Sequence, residues 1–153
     1  MGALWTNSAL WVPISLAFLV QLFKVLWEWA RTHRLDFRVL SRSGGMPSSH
    51  TAMVVSLATV LGIQYGLDSP YFAIAVILAI IVMYDATGVR QQSGKHARVL
   101  NQILRELFSG QPISEEELKE LLGHTGFEVL IGAVVSILYS ILIMLTFRRL
   151  EWG

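Results

Sequence analysis

The chain has 153 residues, a formal net charge of +1 and no cysteine. A chain without cysteine has no disulfide, thiolate nucleophile or thiolate metal site, and its near-neutral charge argues against a nucleic-acid-binding protein. Hydrophobic residues make up 54% of the sequence and charged residues 15%, and the hydrophobic residues are concentrated in a few runs. This composition is typical of an integral membrane protein rather than of a soluble domain.

Four apolar runs are each long enough to cross a bilayer, which takes roughly 20 residues of helix. In chain order they cover residues 9–29, 49–67, 70–89 and 129–147. None of them shows the alternation of a half-buried strand. We therefore predict an all-α integral membrane bundle with four transmembrane helices, forming a single domain over residues 1–153.

A polar insertion at residues 90–128 separates the third and fourth runs. Its segment KHARVLNQILREL places apolar residues at helical spacing between basic ones. This pattern predicts an amphipathic helix that lies on the membrane surface or against the bundle. The capping-box pattern at residues 114–117 predicts a second helix in the insertion, ending at Gly123.

Basic residues are distributed unevenly between the loops. The loop after the first run holds four arginines and the polar insertion holds further lysines and arginines, whereas the turn between the second and third runs has neither. The positive-inside rule therefore places both basic loops in the cytoplasm, although Arg148 and Arg149 at the far end run against it. We expect a multi-pass protein of the inner or plasma membrane.

This orientation brings the unusual polar residues of the predicted spans to one face, the cytoplasmic one. They are Lys24, Arg31, Ser48, Ser49, His50, Asp85, Arg90, His124 and Glu128. Two spans begin there with unpaired N–H groups, and Gly44 and Gly45 allow the backbone to approach an anion closely. With the lysine and arginine charges, these features predict a site for a phosphate carried by a membrane lipid. The opposite face has few residues suited to chemistry.

At these positions the sequence resembles the type 2 phosphatidic acid phosphatase superfamily, which includes the vanadium haloperoxidases, and specifically its small divergent branch of membrane proteins. The motifs of that superfamily are K-x6-R-P, P-S-G-H and S-R-x5-H-x3-D. Here KVLWEWAR supplies Lys24 and Arg31 at the first spacing, followed by Thr32 in place of proline. The second motif reads PSSH and ends at His50, with Ser49 in place of glycine.

The third motif is divided between two places in the chain. GHTGFEVLIG matches its second half, with His124 four residues before Glu128, which stands in place of aspartate. VRQQSGKH matches its first half, from Arg90 to His96. The motifs follow one another in the expected order, at the predicted helix ends, and span most of the chain.

The resemblance implies a phosphatase that needs no metal and no cofactor. It implies His124 as the nucleophile, Glu128 as the residue that orients it, and His50 as the acid that protonates the leaving group. The implied phosphate ligands are Lys24, Arg31, Ser48, Ser49 and Arg90, and the supporting residues are Asp85, Gly44 and Gly45. A carboxylate four residues from a histidine shares its helix face and can fix the imidazole tautomer. His96 is the alternative nucleophile.

Some of these residues also have purely structural explanations. Thr125 and Glu128 form a capping box for the fourth span, and Ser48 or Ser49 can cap the second. Lys24 can extend its ammonium group to the membrane interface, as lysines near helix ends do.

Two classes of function remain open. The first is a phosphatase acting on a lipid phosphate or pyrophosphate, and the second is a non-enzymatic membrane protein that binds or carries a lipid phosphate. A metal-dependent hydrolase is less favoured, because the histidines and carboxylates lack a compact ligand spacing. The pair Gly62 and Gly66 favours close helix packing, within the bundle or in a homodimer.

Overall fold

The computed structural model describes residues 6–34, 46–107 and 125–151, and in these ranges every regular element is an α-helix. The helices are α1 (Ser8–Thr32), α2 (Ser49–Tyr65), α3 (Pro70–Thr87), α4 (Val89–Leu107) and α5 (Gly126–Glu151). The predicted all-α class is confirmed for this part of the chain. The helix predicted to end at Gly123 lies outside the described residues.

Within the described ranges, three helices are long and apolar enough to cross a membrane: α1, α3 and the Gly126–Phe147 part of α5. Many of their large apolar side chains are exposed, as expected for surfaces that face lipid. α2 has 17 residues and is about 25 Å long. It packs against α1, α3 and α5 and so occupies the centre of the bundle. Its role as the fourth span stays a prediction.

Local sequence explains how α2 ends and α3 begins. Gly66 closes α2 with a φ of 90°, a conformation that glycine adopts without strain. The Ser69 hydroxyl then accepts a hydrogen bond of 3.2 Å from the backbone N–H of Phe72, and Pro70 stands in the first turn of α3. This cap and proline are a common helix start, and the tight turn makes α2 and α3 antiparallel neighbours.

Side-chain hydrogen bonds define the register of the bundle. The hydroxyls of Ser56 and Ser140 lie 2.8 Å apart between α2 and α5. Eight residues earlier in each helix, Gly132 of α5 packs against the backbone of Ser48, which precedes α2, so these two helices run parallel. α1 runs antiparallel to both, and its Ser15 hydroxyl lies 3.0 Å from the hydroxyl of Tyr139. The end of α1 and the starts of α2 and α5 therefore meet at one end of the bundle.

The amphipathic helix predicted in the polar insertion is present as α4, with an unexpected orientation. Within the described residues it contacts α3 and no other helix. Its polar residue Asn101 is only 2% exposed, whereas the apolar side chains of Val99 and Leu107 are 56% and 71% exposed. The apolar side of α4 thus points away from the protein. Such an orientation is typical of a helix whose apolar side is covered by lipid.

Candidate functional site

Lys24 is the charged residue buried deepest in the described part of the bundle. Its side chain is 7% exposed, although it stands in a helix whose other faces meet lipid. It interacts electrostatically with the carboxylate of Glu128 in the first turn of α5. Because Lys24 is covered by protein, its burial disagrees with the interpretation of a lysine that extends to the membrane interface. Charges inside a membrane bundle are costly and commonly mark functional sites.

The antiparallel register of α1 and α2, fixed by the hydrogen bond from Gln64 to Ser8, puts Lys24 level with Ser48, which is fully buried. Its hydroxyl caps α2 by accepting a hydrogen bond of 3.4 Å from the backbone N–H of Thr51, which selects Ser48 over Ser49 as the cap. A Cβ atom added to Gly132 would lie 3.2 Å from the Ser48 carbonyl oxygen. The start of α2 is therefore held closely against the first turns of α5. The remaining N–H groups of this first turn carry the partial positive charge that favours anions.

Thr51 is a candidate ligand that the sequence reasoning missed. It is fully buried, and its Oγ1 atom has no hydrogen-bond partner among the described residues. A buried hydroxyl without a partner costs about 1–3 kcal/mol, so its retention calls for an explanation. Thr51 directly follows the PSSH motif and stands one turn from Ser48, and that position was the signal available in the sequence.

The capping box at the start of α5 is confirmed. The Thr125 backbone N–H donates to Oε2 of Glu128 at 2.9 Å, and the Glu128 backbone N–H donates to Oγ1 of Thr125 at 3.3 Å. Glu128 therefore has a structural role in addition to its interaction with Lys24. Since a carboxylate has two oxygens and about four acceptor positions, the cap leaves room for a further hydrogen bond.

The other residues predicted for the site differ in how far they are exposed. His50 and Arg31 are exposed, Ser49 and Asp85 are half-buried, and Arg90 stands in the first turn of α4. His96 is exposed in the middle of α4. His124, Gly44 and Gly45 lie outside the described residues. The structure thus brings Lys24, Ser48 and Glu128 to the same end of the bundle, and the meeting of His50 with His124 stays a prediction.

The opposite end of the bundle holds more polar groups than the sequence led us to expect. A cavity of about 610 Å³ opens there between α1, α2 and α5. Its mouth contains a hydrogen bond of 2.7 Å from the Gln64 amide to the Ser8 hydroxyl, and the Ser15 and Tyr139 pair lines its inner part. The described residues that line it carry no formal charge, and they offer phosphate fewer favourable contacts than the end that contains Lys24.

Comparisons with known proteins show a match to one family and similarity to a bacterial membrane protein. The model of a family described as "Divergent PAP2 family" matches residues 5–139. A membrane protein of Bacillus subtilis (strain 168), YuiD, described as uncharacterized, is 34% identical over 151 residues, covering 92% of this chain and 96% of YuiD. No solved structure matches the chain. The family match includes every position assigned above to a motif.

Proposed function

The chain belongs to the divergent PAP2 family, and from this premise we propose that it is a membrane phosphatase that hydrolyses a lipid phosphate or pyrophosphate. The observation that carries the proposal is the buried Lys24, which interacts with Glu128 beside the capped start of α2. A buried cation near the positive N-terminal end of a helix stabilises the charge that develops on a phosphoryl group in the transition state.

The proposed reaction has two steps and uses no metal. The imidazole of His124 forms a bond to phosphorus as the bond from phosphorus to the lipid oxygen breaks, and His50 gives that oxygen a proton. Water then attacks the phospho-histidine, transfers its proton to His50 and releases phosphate. Glu128 orients His124 and offsets its charge. The phosphate ligands are Lys24, Arg31, Ser48, Ser49 and Arg90, and Asp85, Gly44 and Gly45 support the site.

The placement in the membrane is part of the proposal. α2 is the fourth span, because it packs between three helices that are themselves long enough to cross a bilayer. α4 lies in the interface with its exposed apolar side in the lipid. The positive-inside rule puts the site at the cytoplasmic face of the inner or plasma membrane. There it meets lipid headgroups directly.

A second candidate function is a non-enzymatic protein that binds or carries a lipid phosphate. Two observations favour it: Ser48 and Glu128 both serve as helix caps, so their presence does not require catalysis. In this alternative the Lys24 pair and the start of α2 hold the phosphate, and no bond is broken.

Phosphate release distinguishes the two functions. The purified protein is reconstituted in vesicles with phosphatidic acid or an isoprenyl pyrophosphate, in buffer containing a metal chelator. We expect release by the wild type, loss of at least about a hundredfold in His124→Ala, and nearly full activity in His96→Ala. The Glu128→Gln variant should turn over slowly yet fold normally, because glutamine can complete the capping box.

Two other outcomes of this experiment would lead to different conclusions. Activity that survives His124→Ala and disappears in His96→Ala makes the Arg90–His96 segment the functional motif. If the wild type releases no phosphate from any substrate and all three variants bind the lipids equally, the binding protein is the correct interpretation.

A further inference from the structure

A long apolar groove lies between α2, α3 and α5. Its volume is about 490 Å³. Small residues make room for it: Ala58 and Gly62 on α2, Ala79 on α3 and Ala133 on α5. α3 and α5 make few contacts with each other, so the groove is open to the surrounding lipid between them.

The groove offers its occupant hydrocarbon and almost nothing else. Among the described residues that line it, Thr59 alone has a polar side chain, and its hydroxyl donates to the Val55 carbonyl at 2.8 Å. The hydroxyl proton is therefore used inside α2. A ligand that fits here gains from apolar contact and has no charge or hydrogen-bonding group at this depth.

The groove continues the candidate site along the same two helices. Ala133, which lines it, directly follows Gly132, the residue that packs against the backbone of Ser48. On α2, Val55 stands one turn beyond Thr51 and about 10 Å along the helix from Ser48. On α3 the lining runs from Met83 to Phe72, a length of about 16 Å.

We propose that this groove holds one hydrocarbon chain of the lipid whose phosphate occupies the Lys24 site. The proposal rests on the proposed function and adds to it that the substrate has a long chain. This occupant is favoured over a second copy because the groove continues directly from the start of α2 and the first turns of α5, where the phosphate is proposed to bind. A chain that extends less than about 10 Å from the phosphate does not reach the groove.

Filling the groove should therefore alter the preference for chain length. Ala133→Phe places a ring in it, whereas Val134→Phe puts the same ring on the neighbouring exposed position, which is not part of the lining. We expect Ala133→Phe to lower kcat/KM for dipalmitoyl phosphatidic acid at least about tenfold more than for the dibutyryl lipid. Val134→Phe should leave the ratio between the two lipids unchanged. Ile80→Trp fills the groove from α3 and should act as Ala133→Phe does.

A second measurement does not depend on turnover. A phosphatidic acid with a diazirine at the end of a long chain is photo-crosslinked to the wild type, and the modified residues are mapped. Crosslinks at the groove in a protein that releases no phosphate mean that the phosphatase fails and the chain site stands. Crosslinks spread over the exposed faces of α1, α3 and α5, with an unchanged length ratio in the variants, overturn the chain site. A loss of dimer in Ala133→Phe with an unchanged ratio also overturns it, because the groove is then an interface between two copies.

Discussion

Replacing Gly132 by alanine tests the close approach of α5 to the start of α2, on which the site depends. The added Cβ would lie 3.2 Å from the Ser48 carbonyl oxygen and 3.4 Å from both the Ser48 nitrogen and the Thr51 Cβ. Two of these neighbours are backbone atoms, so the helices themselves must separate by a few tenths of an ångström. Overpacking of this kind costs about 1–3 kcal/mol, against a gain of about 0.5–1 kcal/mol for alanine within a helix. The expected net loss is about 0–2.5 kcal/mol, with a middle value of about 1 kcal/mol.

Thermal unfolding in one detergent, followed by circular dichroism, measures this loss against a matched control. Gly126 stands at the start of the same helix, and a Cβ there meets nothing within 4 Å. We expect Gly132→Ala to lower the midpoint by a few degrees, and Gly126→Ala to leave it unchanged or slightly higher. The reasoning is refuted if both substitutions raise the midpoint equally, because α5 would then not touch the start of α2.

Three further predictions concern hydroxyls and caps. In a double-mutant cycle, Ser56→Ala and Ser140→Ala should show a coupling free energy of about 0.6 kcal/mol. A coupling free energy of zero would mean that the hydrogen bond between the two hydroxyls is not formed. Thr51→Val removes a buried hydroxyl that has no hydrogen-bond partner in the described part of the chain, so stability should not fall while KM for the lipid phosphate rises. A loss of stability above about 1 kcal/mol contradicts this. Thr125→Ala should destabilise the start of α5 by about 1 kcal/mol in thermal unfolding, whereas Glu128→Gln should leave its stability unchanged. Equal losses in the two variants would mean that the carboxylate charge, rather than the cap, stabilises the helix.

The sequence predicted the helices well because the bilayer constrains them strongly. An apolar run in lipid must satisfy its backbone hydrogen bonds internally, so it forms a helix whatever its neighbours are. Local signals such as the Thr125 and Glu128 capping box depend on a few adjacent residues and were predictable for the same reason. α1 exceeds the predicted first span at both ends, since the polar residues near Thr32 extend the helix beyond the apolar run.

The packing inside the bundle was not predictable from the same patterns. In a soluble protein the apolar side of a helix turns inward, but in lipid that preference is weak, and small and polar residues pack between helices instead. The buried Ser56 and Ser140 pair and the outward-facing apolar side of α4 both follow this rule. The burial of Lys24 likewise depends on α2 and α5, which approach it from distant parts of the chain.

The short length of α2 makes the thickness of the host membrane a variable for the site. At about 25 Å, the helix is some 5 Å shorter than the hydrocarbon core of a typical bilayer. With α2 as the proposed fourth span, its polar start lies below the headgroups unless the lipid around the protein becomes thinner. A lipid phosphate must then move inward to reach the proposed site at Ser48 and Lys24, and the distance it moves grows with the acyl chains of the surrounding lipids. A thin bilayer favours this contact and a thick one opposes it, with no change in the protein itself.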